Sequence, residues 1–258
     1  MGARLLAILA GVVAIAIAAW FLWPESSPPP SLPRLPTASQ EAKPAPRGPE
    51  HPVEAKADAA LPELRQSDPA MLQGLAALLG DSSLRKYFDL EDVIRRIVAT
   101  VDNLPRESYA TRLNPVKPIP GPFGAVGRDT TLAIAPSNEK RYGDFIRFAE
   151  GVDSAKAVAL YLRFYPLFQQ AYLDLGYPEG YFNDRLVAVI DHLLAAPDVP
   201  GPIRLTTPHV MYEYADSELQ DRSAGQKALI RMGPENAARL KAKLRELRAE
   251  IVKQSAQR

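Results

Sequence analysis

From Leu64 onward, apolar residues recur every three or four positions, the spacing that lines them along one face of an α-helix. Met71, Leu72, Leu75, Leu78 and Leu79 form a first stripe, opened by Asp68-Pro69 as a cap followed by a first-turn proline and closed by Gly80. Leu90, Val93, Ile94, Ile97, Val98 and Val101 form a second, with Asp89 and Asp92 spaced as a capping box and Pro105 as the stop. Tyr142, Phe145, Ile146 and Ala149 form a third. A longer helix is predicted from Asp153 or Ser154 to Leu175, with Gly176 ending it. There Val158, Leu160, Tyr161, Leu162, Phe164, Tyr165, Leu167, Phe168 and Tyr172 surround the axis, the pattern of a helix at the centre of a bundle, and Pro166 should bend it. Further helices are predicted over 182–195, over 223–232, and from Pro234 with Ala237, Leu240, Leu244, Leu247 and Ile251 facing the body.

Two stretches break the helical period. Pro115, Pro118, Pro120 and Pro122 exclude a helix, and residues 123–126 with 130–134 predict a hairpin across Gly127-Arg128-Asp129. Val210, Tyr212 and Tyr214 alternate with His209, Met211 and Glu213, which predicts a second hairpin with residues 203–206. The fold class is therefore mainly α: a multi-helix globular body over 63–253 with one or two small β-hairpins, and a tail at 254–258.

The pattern at the start of the chain is different. Residues 5–23 hold no charged side chain, and about 1.5 Å of rise per residue gives a helix close to the hydrocarbon thickness of a bilayer. Trp20, Phe21 and Trp23 suit the headgroup boundary, and Pro24 ends the run. A cleaved signal peptide would be cut after Ala16 or Ala18, but the apolar run continues past both sites, so a retained transmembrane anchor over 1–23 is expected. Arg4 before the span and Arg34 well after it favour a cytoplasmic N-terminus and an exported body. Residues 24–62 contain eleven prolines and no Phe, Tyr or Trp. Such a stretch lacks the apolar surface to offset the entropy of ordering it, so a disordered proline-rich tether is expected, with His51 solvated within it.

Charge and composition narrow the chemistry. The formal net charge is +1, which argues against a nucleic-acid binder driven by counterion release. No cysteine is present, which removes disulfides, thiolate metal sites and a cysteine nucleophile. No phosphate loop, dinucleotide fingerprint, His-Glu-x-x-His motif or Gly-x-Ser-x-Gly elbow occurs, and no cofactor or metal is expected. The seven basic and three acidic residues over 234–258 are expected to form a solvated face.

The densest set of polar candidates runs from Tyr177 to Arg185 and continues into the next helix. Tyr181, Asn183, Asp184, Asp191 and His192 are the candidate binding residues, with no catalytic assignment. Asp184 and Asp191 lie about two helical turns apart on nearly one face, so they are placed to accept from a common partner, or Asp191 to orient His192. The structural alternative has Asn183 or Asp184 capping the helix, Arg185 pairing locally and His192 bonded at the flank.

Val101-Asp102-Asn103-Leu104-Pro105, Tyr165-Pro166-Leu167-Phe168-Gln169-Gln170-Ala171-Tyr172, Tyr181-Phe182-Asn183-Asp184-Arg185-Leu186, Ile190-Asp191-His192-Leu193-Leu194 and Ser223-Ala224-Gly225-Gln226-Lys227 together resemble the bacterial family catalogued as domain of unknown function 3014. The resemblance implies a membrane-anchored protein with a proline-rich tether and supplies no catalytic residues. Two functions follow as expectations: a single-pass protein of the bacterial inner membrane whose periplasmic body binds an envelope protein or peptidoglycan, or an envelope hydrolase acting on such a polymer through Asp184, Asp191 and His192.

Overall fold

The computed structural model describes residues 48–53, 61–108, 113–208 and 211–256. The expected anchor over 5–23 and most of the tether lie outside the described residues. Among those described, no helix is long and apolar enough to cross a membrane. Among the described residues nine α-helices follow one another: α1 (Asp68–Leu79), α2 (Asp81–Tyr87), α3 (Val93–Asn103), α4 (Ser137–Glu150), α5 (Ser154–Asp174), α6 (Phe182–Leu194), α7 (Ser217–Gln220), α8 (Ala224–Arg231) and α9 (Pro234–Ala256).

α5 is the axis of the body, in contact with α1, α3, α6 and α9. Its side chains Val158, Tyr161, Phe164, Tyr165, Leu167, Phe168 and Tyr172 are buried, and the helix runs continuously past Pro166. Asp153 caps its start by accepting from the Ala155 and Lys156 N–H groups. Its end turns through Gly176, at a φ of 104° that a side chain would resist. α1 comes so close at Gly74 that a methyl group there would meet Leu160 Cδ1 at 2.7 Å. The stripe on α3 is buried as its spacing requires, from Val93 to Val101.

The start of α3 departs from expectation. Asp92 sits in the left-handed region at φ 49° without capping the helix, and Asp89 pairs with Arg96 at 3.1 Å. The cap comes from across the fold: the Asp68 carboxylate accepts from the Asp92 N–H at 2.8 Å and the Val93 N–H at 3.0 Å. Asp68 thus closes another helix and makes no side-chain cap on α1. The short α2 and α7 carry too few apolar positions to be seen as periods.

Both expected hairpins form. β1 (Ala125–Val126) pairs antiparallel with β2 (Ala133–Ile134), and β3 (Leu205–Thr206) with β4 (Glu213–Tyr214), Leu205 facing Tyr214. A bridge between Ala133 and Arg204 sets them side by side, supported by the Ile134 N–H donating to Ile203 C=O at 3.0 Å. Ile203, Leu205, Tyr214 and Ile230 make a second, smaller core beneath them, joined by Phe123 and Tyr212 with rings 5.6 Å apart.

α9 corrects the expected solvated basic face. Leu240, Leu244, Leu247 and Ile251 point inward as predicted, but Lys241 and Lys243 are also buried, at 5 % and 7 % exposure. Lys241 Nζ donates to the Ala196 C=O and to Asp198, both at 2.6 Å, and Lys243 Nζ to the Val152 C=O at 2.9 Å. Arg239 pairs with Glu150 and Arg248 with Asp191. The two buried lysines hold α9 to the loops after α6 and α4, because buried ammonium groups require hydrogen-bond partners, while Arg239 and Arg248 pair with α4 and α6 themselves. The helix continues to Ala256.

Candidate functional site

Tyr181, Asn183 and Asp184 lie at the turn between α5 and α6, with Asp191 and His192 at the far end of α6, and the turn is held by side chains. Gln169 on α5 donates to the Gly180 C=O at 2.7 Å and accepts from the Phe182 N–H at 2.9 Å and from the Tyr165 hydroxyl at 3.1 Å. The Tyr177 ring stacks on Tyr172 with centroids 4.7 Å apart. Its hydroxyl donates to Asp102 Oδ2 at 3.0 Å.

Asp102 is the centre of the arrangement, and its chemical weight was not visible from its spacing. It lies on the last turn of α3 at 2 % exposure. Arg185 Nε donates to its Oδ1 at 3.0 Å, Arg185 Nη2 to its backbone C=O at 2.7 Å, and Arg106 Nη2 to its Oδ2 at 2.8 Å. One carboxylate therefore ties α3, the segment after it, the 176–181 turn and α6 together. Such a charge is tolerable in the interior only with this density of donors. The available signal was an aspartate ending an apolar stripe with an arginine four positions later.

The five candidate residues have separate engagements. Tyr181 is 38 % exposed and directly precedes α6. Asn183 is fully buried: its Oδ1 accepts from the Tyr161 hydroxyl at 3.1 Å, and its Nδ2 donates to the His51 C=O at 2.9 Å and to Ser255 Oγ at 3.2 Å. Asp184 accepts from the Glu50 N–H at 3.0 Å and the His51 N–H at 2.7 Å. Neither Asn183 nor Asp184 caps α6 with its side chain. Asp191 takes a two-pronged contact from Arg248. His192 Nε2 lies 2.8 Å from Ser223 Oγ, and its C=O accepts from Gln226 Nε2 at 2.9 Å. Arg185 does pair, with Asp102 on α3 and not with a neighbour on its own helix.

Asp184, Asp191 and His192 consequently do not converge: one holds the 48–53 segment, one α9 and one the start of α8. The His192–Ser223 contact has the spacing of a base and a nucleophile. However, Ser223 is the cap of α8, its Oγ accepting from the Gln226 N–H at 3.2 Å. The next donors are used by the segment after α3: the Ala224 N–H by Arg106 C=O at 2.7 Å and the Gly225 N–H by Leu104 C=O at 3.0 Å. The N–H groups of Ala224, Gly225 and Gln226 are therefore engaged in structural bonds and not free to stabilise an oxyanion. Among the described residues no cluster of three or more His, Asp or Glu side chains is placed to hold a metal ion.

Burial, with the nearby Arg185 and Arg222, holds the His192 pKa below the ordinary 6.5. The unfolded chain thus binds the proton more readily than the folded one. Stability is full above pH 6.5 and falls as pH drops from there to the lower folded pKa. Urea unfolding between pH 8 and pH 5 should show this decline, and His192→Gln should lessen it; an unchanged profile in the variant would assign the decline to other groups.

Positions 93–248 match the model of a family described as protein of unknown function (DUF3014). The chain belongs to that family. No curated protein matches it, and no solved structure does. The DUF3014 region begins at the first residue of α3 and ends within α9, so it contains Asp102, Arg106, Tyr177, Arg185, His192 and Ser223. It leaves out α1, α2 and the 48–53 segment.

Proposed function

We propose that this DUF3014 chain is a single-pass protein of the bacterial inner membrane, anchored through residues 5–23, whose helical body works in the periplasm as a protein-binding module rather than an enzyme. The observation that carries the reading is the exposed apolar surface around the turn from α5 to α6. Leu173 is 40 % exposed, Leu175 45 % and Tyr181 38 %, beside polar side chains already committed to structural bonds. Large apolar side chains next to a rigid polar network suit protein recognition, where aromatic and aliphatic anchors supply most of the affinity. A body carried on a proline-rich segment reaches partners near the bilayer without a fixed orientation. The hydrolase alternative lacks support, because its three residues face different neighbours.

A photo-reactive amino acid at Leu175 or Tyr181 in living cells tests the reading. Specific protein adducts are expected from both positions and not from exposed Glu218 near the second core. Adducts of one pattern from all three positions, or mature protein found in the aqueous fraction starting near Ile17 or Ala19, would overturn it.

A further inference from the structure

A six-residue stretch of the expected tether is seated on the body. Residues 48–53 read Gly-Pro-Glu-His-Pro-Val, and they meet Asn183 and Asp184 on the first turn of α6. The contacts go to main-chain atoms. Asp184 takes two consecutive N–H groups, those of Glu50 and His51, and Asn183 Nδ2 donates to the His51 C=O. Val53, and Leu61 beyond it, pack partly buried against the main core.

Four features mark this corner as a recognition site. Asn183 is fully buried, and its amide is oriented by the Tyr161 hydroxyl on one side and Ser255 on the other. Ser255 is fixed in turn by donating to the Ile251 C=O at 2.9 Å. Asp184 offers a carboxylate to neutral amides, a charge-assisted pairing stronger than a neutral one. The occupant presents its donors at a bend: the chain turns at Glu50 and His51 so that both N–H groups face one carboxylate, and Pro49 and Pro52, which lack N–H groups themselves, bracket them.

We infer that Asn183 and Asp184 form a binding site for a bent, proline-flanked peptide read through its main chain, and that residues 48–53 occupy it in cis as a strap. Two consequences follow. The strap fixes Glu50 and His51 against α6, so that the reach of the body from residues 5–23 is set by the length of chain over 24–47. A peptide of the same kind from elsewhere gains the site only by displacing the strap, which acts at an effective concentration of about millimolar through its short connection to the core. The inference stands apart from the membrane reading, since the strap is seated whether or not residues 5–23 lie in lipid.

Hydrogen exchange on the full chain reads the strap directly. The Glu50 and His51 amides should exchange at least ten-fold more slowly than in a free peptide of the same sequence. Asp184→Ala should remove that protection while α5 amides keep theirs, and Asp184→Asn should remove part of it. For binding in trans, the probe is a fluorescent acetylated Gly-Pro-Glu-His-Pro-Val amide added to a full chain deleted only for 48–53. It should bind that chain at least ten-fold more tightly than the intact one, and Asp184→Ala in the deleted chain should abolish binding. Free-peptide exchange rates at Glu50 and His51 in the intact chain would overturn the strap. Equal binding to the deleted and intact chains would overturn the site as a peptide receptor. Neither result depends on where the protein resides, so a soluble protein that fails the crosslinking test can still pass this one.

Discussion

Replacing Asp102 by alanine is expected to lower the free energy of unfolding by about 3 kcal/mol, at the low end of the range for breaking a buried ion pair from one side. The figure rests on Arg185, which would keep its charge with no carboxylate and only the Asp102 backbone C=O as acceptor. Arg106 adds little, because its side chain is 55 % exposed and water replaces most of what it loses. The Tyr177 hydroxyl would lose its acceptor as well. Asp102→Asn keeps the shape and one acceptor oxygen, so its loss should be smaller. Urea unfolding checks both, with the slope against denaturant unchanged if the folded state stays compact. A loss below about 1 kcal/mol for Asp102→Ala would mean that Arg185 finds another partner and that the network is not what holds the 176–181 turn.

Phe168→Ala should cost about 4 kcal/mol, within the range for removing a buried phenylalanine from a packed core. Phe168 is 1 % exposed, stacked on Phe182 with centroids 5.7 Å apart and set edge-on to Tyr161 at 5.3 Å. The void would open between α5 and α6, under the residues that orient Asn183. A second effect is therefore expected besides the lower urea midpoint: faster exchange of the Glu50 and His51 amides. Phe168→Leu refills most of the volume and should lose about 1 to 1.5 kcal/mol. Equal destabilisation by alanine and leucine would show that ring geometry, not volume, governs the site.

These two positions differ in how far they could be read from the chain. Phe168 belongs to an all-round apolar helix, and burial at the centre of the body follows from that pattern alone. Asp102 looks like an ordinary polar residue near a helix end, since its three partners are distant in sequence except Arg106. Lys241 and Lys243 show the same limit. A lysine on a helix is read as solvated until a backbone carbonyl from another element, here that of Ala196 or Val152, comes within reach. The position of Asp68 before Pro69 predicts a cap for its own helix, yet its carboxylate accepts from the N–H groups of Asp92 and Val93.

Sequence by itself determined the class of the fold, the run of long helices and both hairpins, because periodicity, proline and glycine act over a few neighbouring residues and need no knowledge of what lies across the core. Tertiary structure alone decided which polar groups meet: Asp102 with Arg185, Asn183 with Tyr161 and Ser255, Asp184 with the strap, His192 with Ser223. A hydrogen bond depends on a separation of about 3 Å between atoms that are often tens of residues apart along the chain, and only packing sets such distances.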